Sequence, residues 1–181
     1  MEYLIDVYLT DAENNYRYAL GSQSEKTLFV IGLNPSTACD KTPDNTIRKV
    51  MGLAEYNGYT SFIMLNLYPK RDTYPDDLPD EADKKILEEN LSIIYELIKK
   101  EKQANILLAW GNNIFSRAYL LDSIKMIYKK LESCNPNWFQ VGTLTKRGQP
   151  RHPLYVSYQA LVHSPYAPVD RETFEIKADT A

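Results

Sequence analysis

The run Thr27-Leu-Phe-Val-Ile-Gly-Leu-Asn34-Pro35-Ser36-Thr37-Ala38 constrains the fold of this chain more than any other segment. Its apolar stretch, Leu28 to Ile31, breaks at Gly32 and passes straight into Asn-Pro-Ser-Thr. Such a run reads as a buried parallel strand that delivers polar side chains to its carboxyl end, where open α/β sheets place their ligands. Three later runs end the same way: Phe62 to Leu65 in Asn66, Ile106 to Ala109 in Trp110-Gly111, and Phe139 to Leu144 before Gly148-Gln-Pro150-Arg151-His152-Pro153. Four strand ends with polar or Gly/Pro punctuation predict one site along one sheet edge.

The segments between these runs supply the connections. Leu4 to Leu9 and Tyr16 to Leu20 alternate around the turn-forming Asp11 to Asn15, which predicts a hairpin. Asp44 or Asn45 is the expected N-cap of a helix carrying Ile47, Val50, Met51 and Ala54 on one face and stopping at Asn57-Gly58. Residues 69–80 hold Pro69, Pro75 and Pro79 among acidic residues and read as an exposed loop. Asp80 to Lys102 has an apolar stripe of Ile86, Leu87, Leu91, Ile94, Leu97 and Ile98 against a charged face. A strand over 105–110, a helix over 112–132 and a strand over 138–144 follow. The alternation predicts an α/β fold: a three-layer α/β/α sandwich whose central, mainly parallel four-stranded sheet is joined by an N-terminal β-hairpin. Residues 1–181 are expected to form a single domain, with a core over 16–156 and an irregular tail over 157–181.

Composition narrows the function classes. No apolar run approaches the ~20 residues of a membrane span, and Met1-Glu2-Tyr3 does not open a basic, apolar signal segment, so the expected location is cytoplasmic. With 2 Cys and 2 His and no ligand spacing, neither a disulfide framework, an iron–sulfur cluster nor a zinc site is expected, and no cofactor is called for. The net charge of −3 argues against a broad nucleic-acid surface. Two basic clusters, Lys70-Arg71 and Lys146-Arg147…Arg151, nevertheless follow strand ends, where a local patch would suit an anionic ligand such as a phosphate.

The strand ends carry the candidate residues. Asn34 can orient a water or a base edge, with Pro35 and Ser36 fixing its loop; equally, Asn-Pro is a turn, and Ser36 and Thr37 are potential caps. Asn66 is poorly suited to a strand interior, and its adjacent donor and acceptor match a nucleobase edge; loop backbone is its other potential partner. His152 lies among prolines that stiffen its backbone. Asp44 reads as a helix cap, with Arg48 one turn later able to reach the same cleft.

Together these motifs resemble the bacterial and phage domain-of-unknown-function family number 1643. The matches are Tyr16-Arg-Tyr, Leu33-Asn-Pro-Ser-Thr-Ala38, Asp44-x-Thr-Ile-Arg48, Gly58-Tyr59…Asn66-Leu67, Ala109-Trp-Gly111 and Gly148-x-Pro-x-His-Pro-Leu154. The family carries no established activity. A more distant resemblance is to the uracil-DNA glycosylase superfamily, carried by Gly32-Leu-Asn34-Pro35, Met64-Leu-Asn66-Leu67, Leu108-Ala-Trp110-Gly111 and His152-Pro153-Leu154.

That resemblance implies N-glycosidic hydrolysis of a nucleobase-containing ligand. Asn34 and His152 would be catalytic, Asn34 positioning the attacking water and His152 stabilising charge on the leaving base. Asn66 would read a pyrimidine edge, Trp110 would stand at the same cleft, Tyr68 or Tyr59 would stack, and Leu154 or Tyr155 would insert into DNA. Ser36, Thr37, Asp44, Arg48, Lys146, Arg147 and Arg151 complete the expected binding set. Two departures stand out: His-Pro-Leu-Tyr replaces the usual His-Pro-Ser-Pro, and Asn34 can orient water without accepting its proton. The alternative reading is a non-catalytic module that binds a nucleotide or nucleic-acid end.

Overall fold

The apolar runs become the centre of a larger sheet than the sequence suggests. A computed structural model describes residues 1–168 of the chain. Its strands are β1 (Val7–Thr10), β2 (Arg17–Gly21), β3 (Thr27–Gly32), β4 (Ser61–Asn66), β5 (Asn105–Leu108), β6 (Asn137–Val141) and β7 (Leu161–His163). Its α-helices are α1 (Asn45–Tyr56), α2 (Lys84–Ile98) and α3 (Ala118–Leu131). The strands form one sheet in the order β1-β2-β4-β3-β5-β6-β7. The β3–β4, β3–β5 and β5–β6 pairs are parallel; β1–β2, β2–β4 and β6–β7 are antiparallel.

The expected four-stranded sheet is therefore corrected to a mixed sheet of seven strands, with the four parallel ones in the middle. The hairpin is part of the sheet because β2 is buried along its whole length and pairs with β4. Gly21 permits that pairing: a Cβ there would lie 2.0 Å from the Phe62 carbonyl oxygen. The tail read as irregular from residue 157 contains β7, which pairs antiparallel with β6. Its remainder, residues 169–181, lies outside the described residues.

Side-chain alternation sorts the central strands onto two faces. Phe29, Ile31, Ile63, Leu65, Ile106 and Leu108 pack with Ile94 and Ile98 of α2 and Leu120, Ile124 and Ile127 of α3. Leu28, Val30, Phe62, Met64 and Leu107 pack with Ile47, Val50, Leu53 and Ala54 of α1. Helices thus cover both faces, and the strands read as continuous apolar runs because both faces are dry. No helix among the described residues is long and apolar enough to cross a membrane.

Local chemistry sets the boundaries. Asp44 caps α1 by accepting the Ile47 N–H at 2.8 Å, and Gly58 at φ 75° follows the helix end. The second helix begins later than expected because Asp83 is its cap, accepting from Lys85 N–H at 2.9 Å. The third is broken: a 3-10 turn over Gly111–Ser116 precedes an extended Arg117, and α3 starts after it. Arg117 is extended where its guanidinium donates to the carbonyls of Asp76 (2.6 Å), Leu78 (2.7 Å) and Pro79 (3.1 Å). The segment 69–80 is largely exposed, as expected of a loop, but it is pinned in place and Leu78 is buried in the core.

Candidate functional site

A cleft of about 500 Å³ opens at the carboxyl ends of the central strands. Gly32, Met64 and Trp110 line it from the sheet; Asp44, Asn45 and Thr46 from the start of α1; Asp72 to Pro75 from the pinned segment; and His152, Leu154 and Tyr155 from the last loop. The size suits a small organic ligand or part of a larger one.

The Trp-Gly motif explains how the histidine loop arrives here. Trp110 is fully buried and donates its indole N–H to Gln149 Oε1 at 3.0 Å, with its ring edge-on to Tyr166 at 5.2 Å. Gly111 donates its N–H to the Pro150 carbonyl at 3.0 Å. At φ 70°, a Cβ on Gly111 would stand 3.1 Å from His152 Cβ, so glycine satisfies both the turn and the close approach. Two motifs 39 positions apart thus dock as one unit, which carries His152 to the cleft.

His152 Nδ1 accepts the Leu154 N–H at 3.3 Å. In the neutral ring this leaves Nε2 carrying the proton, a donor available to the cleft. Burial pushes the imidazole pKa below its ordinary 6.5, and the Asp44 carboxylate only partly offsets this. His152 is therefore a neutral hydrogen-bond donor at pH 7.

The Asn34 amide nitrogen is committed to backbone carbonyls, those of Asp72 at 2.9 Å, Pro35 at 3.2 Å and Lys70 at 3.5 Å. Its role in holding the wall segment leaves Oδ1 as the end that a ligand or water can use. Asp44 is similarly occupied, Oδ1 on Ile47 N–H and Oδ2 on Ala38 N–H at 3.3 Å. Ser36 and Thr37 line the cleft beside Asn34.

Asn66 is outside the lining yet adjacent to it. The β3–β4 register pairs it with Gly32, which has no side chain to cover it; a Cβ there would come within 3.4 Å of Asn66 Oδ1. The Asn66 side chain is fully buried, and neither Oδ1 nor Nδ2 has a hydrogen-bond partner. Its backbone carbonyl is held separately by Asn90 Nδ2 at 2.9 Å.

The expected residues divide. Asn34, Ser36, Thr37, Asp44, Trp110 and His152 share the cleft, whereas Arg48, Tyr68, Lys146, Arg147 and Arg151 are not in its lining. Tyr68 is buried in the core between Tyr16 and Tyr119, 6.5 and 5.0 Å away, and its hydroxyl accepts the Asp83 N–H. Tyr59 is partly buried against the α1-side core. The Arg151 Nε donates to the Thr143 carbonyl at 2.8 Å, and the Arg147 guanidinium lies 3.9 Å over the Phe115 ring. No group of three or more His, Cys, Asp or Glu side chains among the described residues could hold a metal ion.

Sequence reasoning missed Arg17 as a site residue. It lines the cleft from β2 at 2% exposure, and its NH1 donates to the Ala38 carbonyl at 2.8 Å while Nε has no partner. The available signal was a charge set between Tyr16 and Tyr18 at the head of an apolar strand. Asp72 and Tyr74 were also missed, because they belong to the segment read as an exposed loop.

A model of the family described as "Protein of unknown function (DUF1643)" matches residues 17–154 of the chain. That range runs from Arg17 through the His152 loop and includes every strand that carries the cleft. No curated protein and no solved structure matches.

Proposed function

This chain belongs to the DUF1643 family of proteins of unknown function, and from that premise we propose that its cleft binds a nucleobase-containing ligand and hydrolyses its N-glycosidic bond. The observation that carries the reading is Asn66. A buried carboxamide with donor and acceptor both unpaired costs about 1–3 kcal/mol per group, and a base edge presenting the complementary pair would recover it. Gly32 puts no side chain of its own between the cleft and that amide, and the flexible Met64 methyl that fills the gap would swing aside to admit a ligand.

The chemistry falls to two further residues. Asn34 Oδ1 accepts a hydrogen bond from a water and aims its oxygen at the anomeric carbon. As the new C–O bond forms, the C–N bond breaks and its electron pair passes to the base. The His152 Nε2–H stabilises the resulting negative charge, a contribution worth a few kcal/mol of barrier. The water's proton leaves through solvent and finally resides on the free base, because Asn34 cannot accept it.

The second reading, binding without catalysis, draws on Asp44, both of whose oxygens are occupied by backbone N–H groups. One experiment separates the two: release of free base from uracil-containing and mismatched oligonucleotides and from nucleosides, alongside binding measured across a salt series. Base release lost in His152→Ala and Asn34→Ala supports hydrolysis. Binding without release supports the module, a steep salt slope then favouring nucleic acid and a flat one a small ligand. Absence of both binding and release would remove the nucleobase reading altogether.

A further inference from the structure

Arg17 and Arg71 form an arrangement that the nucleobase reading leaves unused. Both guanidiniums converge on one acceptor, the Ala38 carbonyl, Arg17 NH1 at 2.8 Å and Arg71 NH1 at 3.1 Å. Neither forms an ion pair with a carboxylate among the described residues. Each nitrogen of the Arg71 guanidinium is engaged, with further bonds to Ser36 O (2.6 Å), the Tyr8 hydroxyl (2.7 Å) and Asn14 Oδ1 (3.0 Å). Arg17 is the more deeply buried of the two and keeps an unpartnered Nε.

Two like charges held this close without a counter-ion oppose one another, and burial adds to the cost. Burial, and after it the neighbouring Arg71, push the Arg17 guanidinium pKa down to about 10. The Asp44 carboxylate attracts it without forming an ion pair, and both its oxygens accept N–H groups, of Ile47 and of Ala38 itself. A buried guanidinium that lines a cleft, has a second behind it and lacks a carboxylate is short of one anion. The first turn of α1 borders the same space through Asn45 and Thr46, and its N–H groups ahead of Ile47 have no intrahelical partner.

We propose that Arg17, backed by Arg71 and the start of α1, is an anion subsite of the cleft that takes a phosphate of the ligand. The inference rests on the nucleobase reading of the same cleft and narrows it: the bound molecule is a nucleotide or a nucleic-acid end, not a neutral nucleoside. A phosphomonoester and a phosphodiester share the required chemistry, and the ligand series below tells them apart.

The test uses inorganic phosphate on the full chain, with chloride at matched ionic strength as the control. Phosphate should raise the melting temperature saturably and shift the Arg17 Nε–H resonance in nitrogen-edited NMR spectra, a readout that requires no variant. Arg17→Met and Arg17→Lys should lose the saturable rise, the latter because lysine keeps the charge but not the fork. A nucleoside 5′- or 3′-monophosphate should bind at least about ten-fold tighter than its nucleoside, equivalent to about 1.4 kcal/mol. A short oligonucleotide preferred over both monophosphates would identify a diester as the source.

An Arg17 Nε–H signal indifferent to phosphate, or a phosphate effect retained in a folded Arg17→Met protein, overturns the subsite. Nucleosides that bind as tightly as their phosphates would end this inference and leave the nucleobase reading intact. Phosphate binding without nucleoside binding would do the reverse.

Discussion

Replacing Asn66 by leucine should stabilise the free protein while abolishing ligand recognition, an unusual combination for a fully buried position. Leucine has nearly the shape of asparagine and carries no polar atom. In the free protein the carboxamide contributes no hydrogen bond at either Oδ1 or Nδ2, so its removal relieves a desolvation cost of about 1–3 kcal/mol. The neighbouring anchor survives, because Asn90 donates to the backbone carbonyl of residue 66 rather than to its side chain. A chain of 181 residues gains about 2–4 °C per kcal/mol, so the melting temperature should rise by several degrees. Part of that gain is offset because the tetrahedral Cγ and two methyls of leucine are bulkier than the planar carboxamide they replace beside Gly32.

Binding should move in the opposite direction. A bidentate contact to a base edge is worth about 1–3 kcal/mol, so affinity for a nucleotide should fall by roughly 5- to 150-fold. Thermal unfolding and calorimetric titration on Asn66→Leu and Asn66→Ala supply both numbers. If leucine lowers the melting temperature as much as alanine does, the amide is satisfied in solution by a buried water and Asn66 is structural. Unchanged affinity in a folded variant would refute the base-reading role.

Three other perturbations have defined outcomes. Gly32→Ala places a methyl 2.4 Å from the Met64 terminal carbon, which can swing aside, and 3.4 Å from Asn66 Oδ1; nucleotide binding should fall sharply in calorimetry with a melting change of only a few degrees. An NMR titration of His152 should give a pKa below 6.5. Because the native ring resists a proton that the unfolded chain accepts below pH 6.5, stability from this group is complete above 6.5 and declines as pH falls through the folded value. Arg117→Ala removes the donors that hold the Asp76, Leu78 and Pro79 carbonyls and should cost about 2–3 kcal/mol in urea unfolding. It should also open residues 72–79 to proteolysis.

The central strands were legible because dry strands carry unbroken apolar runs, which place Phe29, Phe62 and Leu107 in buried strands but do not say on which of the two faces each packs. The edges of the sheet were not. A strand such as β7 has only three residues, of which Val162 and His163 are exposed, so it lacks the pattern that marks a buried run. The third helix was read as continuous through Arg117 because nothing local forbids a helix there. Its break comes from carbonyls thirty-eight to forty-one positions earlier in the chain, visible only after folding.

The same distinction separates the candidate residues. Asn34, Trp110 and His152 were recognisable because each follows a strand or glycine-bounded loop whose end must face the carboxyl edge, and the cleft contains all three. The basic residues near position 147 were grouped by sequence proximity, a weaker guide, since a loop turns its side chains toward whatever they can stack on or bond. Arg147 accordingly covers Phe115 and Arg151 bonds the Thr143 carbonyl. Arg17 escaped notice for the opposite reason: a lone arginine in an antiparallel strand usually faces water, and here the fold buries it with its guanidinium on the distant Ala38 carbonyl. Buried charge is costly, and the chain retains it in the lining of a cleft whose Gly32 is paired with the unpartnered Asn66. Two uncompensated polar groups flanking one cleft argue for a ligand that satisfies both, one end with the hydrogen-bonding edge of a base and the other with the charge of a phosphate.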